Sequence, residues 1–187
     1  EAGNKADFLD RARDEVGIDV DVISGFEEAR LIHLGVLQAL PVFDQRMLVI
    51  DIGGGSTEFC VGKGDTIIEA RSMKLGAIRL TERFFADVTE TDSDGSIAHK
   101  AVKECRKYVR SALAPVAHEL GGHQPEVTVG SSGTAATLAT MALAARGEKS
   151  RQLNGVTFTA DELLDLVKVV TSRTTEQRLD LAGLDEK

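Results

Sequence analysis

The stretch from Met47 to Glu58, Met-Leu-Val-Ile-Asp-Ile-Gly-Gly-Gly-Ser-Thr-Glu, constrains this chain more than any other. Its apolar run, Met47 to Ile50, is short enough to be a buried strand and delivers one carboxylate, Asp51, to its end. Gly53, Gly54 and Gly55 follow, and then the hydroxyls of Ser56 and Thr57. Glycine takes positive φ readily, so three in a row let the backbone turn tightly and aim several N–H groups at one point. Such a concavity holds phosphate oxygens without a side-chain cation. An aspartate beside it suits Mg²⁺, a hard ion that prefers oxygen ligands and accompanies phosphates. The plain alternative is a hairpin turn, but a tight hairpin turn needs about two residues, fewer than this motif contains.

Composition narrows the partners. A chain of 187 residues, 42% of them hydrophobic, makes one large or two small domains and can bury a real core. With no Trp and one Tyr, that core rests on Leu, Val, Ile and Ala. No apolar stretch reaches the roughly 18 residues of a membrane span, and no signal peptide opens the chain, so no membrane partner is expected. Cys60 and Cys105 lie far apart and form no disulfide framework, which makes the cytoplasm the default compartment. A formal charge of −8 argues against a broad nucleic-acid surface. A polyanionic ligand must therefore be held locally. His33, His99, His118 and His123 are scattered without metal-ligand spacing, so no zinc site is expected.

In chain order, residues 4–16 have helical spacing with Gly17 as the stop, and Val20 to Ile23 alternates like a short strand. Ser24 and Glu27 fit a capping box for a helix reaching about Leu40, with Phe26, Leu31, Leu34 and Leu37 or Gln38 around its axis and Pro41 at its end. With Glu27 assigned to the cap, Glu28 points about 100° away and has no structural task. The bland reading is a solvated carboxylate that favours the helix dipole. Thr57–Gly62 and Thr66–Met73 alternate around a Lys63-Gly64-Asp65 turn, giving an antiparallel meander with the first strand. Gly76–Phe85 reads as a helix, residues 86–95 as a solvated acidic loop, and Ser96–Leu120 as a long helix bent or broken at Pro115. Glu126–Val129 is a strand and Ala135–Ala145 a helix of small residues. Between them Gly130-Ser131-Ser132-Gly133-Thr134 forms a second place where N–H groups and a helix dipole could meet an anion. Two last helices carry the boxes Thr159/Glu162 and Thr174/Gln177. The order predicts an α/β, three-layer domain: a three-stranded antiparallel meander followed by helices and added parallel strands.

The motif Ile50–Glu58 resembles the second phosphate loop of the actin-like ATPase superfold. Together with Val22-Ile23-Ser24-Gly25-Phe26-Glu27-Glu28-Ala29-Arg30, Leu75-Gly76-Ala77-Ile78-Arg79-Leu80 and Gly130–Thr134, it resembles the exopolyphosphatase / guanosine pentaphosphate phosphatase family. That resemblance implies a ribonuclease-H-like domain and removal of a terminal phosphate from inorganic polyphosphate, guanosine pentaphosphate or both, with Mg²⁺ or another divalent cation. It assigns the water-activating base to Glu28, the metal to Asp51, and the phosphate grip to Gly53, Gly54, Gly55, Ser56 and Thr57. Gly130, Ser131, Ser132, Gly133 and Thr134 would line the cleft wall as further phosphate contacts. Arg79 could reach phosphate, with a surface ion pair as the alternative. Arg106, Lys107 and Arg110 read as a solvated face or a track for a long anion.

The family's first phosphate loop is missing from the chain. Residues 1–24 are expected to be the end of a first actin-like domain, 25–40 a connecting helix and 41–187 a second domain. Such a fragment is expected to have little activity alone, and a homodimer of the full-length protein is left open. Two other readings share the glycine loop: an actin-fold kinase or ATPase, and a non-catalytic sensor of polyphosphate or an alarmone.

Overall fold

Alternation of apolar side chains along neighbouring segments builds the sheet on which the other elements rest. The computed structural model describes residues 3–86 and 99–184. Strands β1 (Met47–Ile52), β2 (Thr57–Lys63) and β3 (Thr66–Met73) form the antiparallel meander. Strand β4 (Val127–Ser131) adds in parallel beside β1, so the order is β3-β2-β1-β4. The helices are α1 (Lys5–Val16), α2 (Gly25–Ala39), α3 (Ala77–Phe84), α4 (His99–Gly121), α5 (Ser132–Ala145), α6 (Ala160–Thr171) and α7 (Thr175–Leu179). No helix among the described residues is long and apolar enough to cross a membrane.

Successive strand side chains point to opposite faces, and each face has its own cover. Met47, Val49, Cys60 and Ala70, with Val127 and Val129 beside them, pack with Ala29 and Val36 of α2. Phe59 and Val61, with Leu48, Ile50 and Met73, pack with Leu113, Val116 and Leu120 of α4. The result is three layers, α2 over the sheet over α4. Met47, Val49 and Val61 are at most 1% exposed, and each such burial stabilises by roughly 1.5–3 kcal/mol. Helices α5 and α6 share a smaller core through Met141, Ala142 and Leu166.

Helix α2 buries only part of the expected set: Leu37 packs against the core and Leu34 is half-buried. Ala29, His33 and Val36 face the sheet, whereas Phe26 and Leu31 are 57% and 46% exposed. Small residues let the helix approach closely: a Cβ on Gly25 would lie 2.8 Å from the Ser72 Cβ. The His33 ring fills the space over Gly62, where a Cβ would come within 2.4 Å of it, and its Nε2 donates to the Gly64 carbonyl at 2.9 Å.

Other expectations also change. Val20–Ile23 is not a strand; it pairs with none of the described strands, and Val22 and Ile23 are about half exposed. Of the bend or break expected at Pro115, the break does not occur, and α4 continues through it. Pro115 has no N–H to offer the Ser111 carbonyl, and Ser111 is exposed. One parallel strand is added among the described residues rather than several. Most of the expected acidic loop 86–95 lies outside the described residues. The boxes at Thr159/Glu162 and Thr174/Gln177 form with both halves present.

Candidate active site

The sheet face beneath α2 is apolar along most of its length and turns polar at one rung. In register across the four strands, Ser131 of β4 stands beside Asp51 of β1, Asp51 beside Glu58 of β2, and Glu58 beside Ser72 of β3. All four share the parity of the residues that face α2. Ser72 Oγ donates to Glu58 at 2.8 Å, and Glu58 is only 3% exposed.

Helix α2 starts over this rung. The Ser24 side chain caps it by accepting from the Glu27 N–H at 3.2 Å. The reciprocal half of the expected box does not form, because the Glu27 carboxylate instead takes two bonds from Arg30 at 2.7 and 2.8 Å. Glu27 is engaged either way, and Glu28 is the carboxylate left facing the polar rung. Partial burial, then the charge of Glu58, then that of Asp51 hold the Glu28 carboxyl above its ordinary range. Glu58 escaped the sequence reading. Its signal was present, since two strands joined by a known turn fix which residues stand opposite, but the turn length could not be read with that accuracy.

The glycine loop joins β1 to β2, and α3 shapes it. The Ala77 N–H donates to the Gly53 carbonyl at 2.9 Å, the Arg79 N–H to the Gly54 carbonyl at 3.2 Å, and Arg79 Nε to the Gly55 carbonyl at 3.1 Å. In a trans peptide the carbonyl and the next N–H point in opposite directions. Holding those three carbonyls against α3 therefore aims the N–H groups of Gly54, Gly55 and Ser56 the other way, and none of them donates to a described residue.

None of these three glycines uses positive φ, contrary to the expected reason for them. What they supply is the missing side chain: a Cβ on Gly54 would lie 2.8 Å from the Ile78 Cδ1. Gly76 is tighter still, because a Cβ there would fall 2.2 Å from the Gly54 oxygen. Thr57 is 5% exposed and donates to the Leu75 carbonyl at 3.1 Å, so its hydroxyl braces the loop from beneath. Ser56 is half-buried and Arg79 exposed at the loop.

The Gly-Ser-Ser-Gly-Thr segment is not a separate turn. Strand β4 runs through Gly130 and Ser131, and α5 begins at Ser132, whose φ of 67° takes the corner. Ser132 Oγ and Thr134 Oγ1 each donate to the Ile52 carbonyl at 3.0 Å, tying this segment to the start of the glycine loop. Both motifs thus end at the carboxyl ends of adjacent parallel strands, where ligands of open α/β sheets bind.

The Ppx/GppA phosphatase family matches the chain over residues 1–187. The chain belongs to the Ppx/GppA phosphatase family. It is similar to an exopolyphosphatase from Cytophaga hutchinsonii, with 34% identity and a TM-score of 0.81 over 98% of this chain and 57% of that one. It is also similar to the Aquifex aeolicus Ppx/GppA family member, with 29% identity and a TM-score of 0.76 over 95% of this chain and 54% of that one. The chain spans somewhat more than half the length of these relatives, and its fold is the actin-like ATPase fold.

In this Ppx/GppA chain, Glu28, Asp51, Gly53–Ser56, Arg79 and the segment 130–134 gather at one end of the sheet. Arg106, Lys107 and Arg110 are exposed on α4, which covers the opposite face. Among the described residues, no three His, Cys, Asp or Glu side chains converge to enclose a metal ion by themselves.

Proposed function

We propose that this chain carries the catalytic end of a phosphohydrolase that releases terminal phosphate from inorganic polyphosphate, guanosine pentaphosphate or both, by attack of water. The observation that carries the reading is the juxtaposition of a carboxyl held above its ordinary range, Glu28, with a loop that presents three backbone N–H groups donating to no described residue. Phosphoryl transfer needs little covalent help from a protein. It needs in-line placement, neutralised oxygens and an oriented water. The N–H groups of Gly54, Gly55 and Ser56 hold the phosphoryl oxygens, and the Arg79 guanidinium, bonded to the Gly55 carbonyl, adds positive charge at the loop. Glu28 accepts the proton of the attacking water, a role worth roughly 10²–10⁴-fold in rate.

The donor set fits a divalent cation. Asp51 and Glu58 stand opposite each other and offer hard oxygen atoms. Mg²⁺ commonly takes one or two carboxylates and completes its shell with water and substrate phosphates, so a protein-only cage of three is not needed. When bound there, the ion would spread the charge of the phosphoryl oxygens.

The chain spans 57% of the Cytophaga hutchinsonii exopolyphosphatase, so the remaining length is expected to supply another wall of the cleft. Phosphate release from polyphosphate and from guanosine pentaphosphate should be measured side by side, with and without Mg²⁺, for this chain and for a full-length protein containing it. Metal-dependent release by the full-length protein and little by the chain alone is the expected result. Transfer of phosphate to a sugar or to acetate, with none to water, would overturn the reading.

A further inference from the structure

Two hydroxyls from one motif end on a single carbonyl of the other. Ser132 Oγ and Thr134 Oγ1 reach the Ile52 oxygen across 80 and 82 residues of sequence, both at 3.0 Å. The same peptide unit carries the Gly53 N–H, which donates to the Ser56 carbonyl at 3.0 Å. The Ile52–Gly53 peptide is therefore held at both ends, its oxygen by α5 and its nitrogen by the loop's own closure. A carbonyl oxygen offers two lone pairs, and two donors meet it here.

A hydroxyl has one proton to donate. With that proton on Ile52, neither Ser132 nor Thr134 has one for a phosphate oxygen, which can only accept. Ser132 also adopts a left-handed φ of 67°, which side-chain-bearing residues rarely take, and in that conformation its hydroxyl meets Ile52.

We infer that Ser132 and Thr134 are positioning residues, whose hydroxyls fix the entry to the glycine loop and so the aim of the Gly54, Gly55 and Ser56 N–H groups, and that they are not phosphate ligands. The kinetic consequence rests on the phosphohydrolase reading; the structural consequence does not. Because two donors share one acceptor, either alone keeps the carbonyl partnered, and the two losses are more than additive.

The test uses a full-length protein containing this chain, with Ser132→Ala, Thr134→Val and both together. Alanine keeps the Cβ of serine at the strained φ, and valine keeps the shape of threonine. Each single variant should lower kcat by less than roughly threefold and the double variant by roughly tenfold to a hundredfold, the scale of a displaced reacting group, with KM little changed. Amide hydrogen exchange at Gly53, measured without ligand, should speed up most in the double variant. Thr134→Ser in the Ser132→Ala background should restore both rate and protection. If the double variant unfolds, Ser132→Gly with Thr134→Val replaces it, since glycine takes the φ of 67° without strain: faster Gly53 exchange supports the assignment and unchanged exchange overturns it. A KM that rises in each single variant, with weaker binding of inorganic phosphate and unchanged Gly53 exchange, makes the hydroxyls ligands and overturns the proposal. If the unsubstituted protein releases no phosphate, the functional reading fails by itself, and the exchange data alone decide the positioning role.

Discussion

Asp51 and Glu58 stand directly opposite each other on β1 and β2, flanked in the same rung by Ser131 and Ser72. Two carboxylates so placed cannot both be buried as bare anions without cost, and Glu58 is nearly fully buried with one donor, Ser72. The arrangement favours whatever brings positive charge to it. Glu28, from the helix above, feels both anions.

Replacing Glu28 with Gln keeps the shape and removes the base. Phosphate release should fall by roughly 10²–10⁴-fold, while polyphosphate binding, followed by calorimetry, stays close to the parent value. An unchanged rate would remove Glu28 from the mechanism.

The pH dependence has a definite sign. A base works deprotonated, and Glu28 is held above the ordinary carboxylate range by partial burial, Glu58 and Asp51. The rate should therefore rise with pH, and in the metal-free chain the Glu28 titration should lie above that range; a cation on Asp51 and Glu58 would offset part of the rise. Glu58→Gln removes one anion, so the Glu28 titration, read by carbon-13 NMR in the ligand-free chain, should move down. The same shift stabilises the fold below the ordinary carboxylate value and is lost as pH rises through the raised one. No downward movement would mean that Glu58 does not act on Glu28.

Gly76→Ala puts a Cβ 2.2 Å from the Gly54 oxygen, where backbone has to move. Overpacking of this kind costs roughly 1–3 kcal/mol, and here it also displaces the loop. Denaturant unfolding should show the loss, and amide shifts of Gly53–Ser56 should show the displacement.

Gly35→Ala tests the opposite case. Gly35 is exposed within α2, and a Cβ there meets nothing within 4 Å. The change should raise stability by roughly 0.5–1 kcal/mol and leave phosphate release as it was.

Glu162 reports on the packing of α6. The Arg146 side chain, and then the Thr159 N–H, lower its carboxyl to about 2 from the ordinary 4.5. A folded-state pKa below the unfolded one contributes stability above 4.5 that is lost as pH falls toward about 2. Melting temperature against pH should lose part of its acid slope in Glu162→Gln; an identical slope would deny the contribution.

What could be read along the chain was local. The meander follows from alternation, and the boxes at Thr159 and Thr174 from spacing of three residues. The remainder depended on what the chain meets in space. Val20–Ile23 has the pattern of a strand and no described strand to pair with. Phe26 and Leu31 are apolar but face outward, because the sheet accepts the smaller stripe of Ala29, His33 and Val36. The glycines of the loop were legible as glycines, but for the wrong reason, since closeness to α3 and not positive φ requires them. Glu58 became visible only with the register.

The link from Ser132 to Ile52 spans 80 residues, and this sets an order in time. During synthesis the glycine loop and the meander are complete well before β4 and α5 exist to hold the Ile52 carbonyl. Local hairpin pairing forms early, whereas the long-range parallel addition comes late. A chain cut short or stalled before β4 would therefore carry every residue of the loop without its brace. The stiffness of that loop is a built-in report that the fourth strand has arrived.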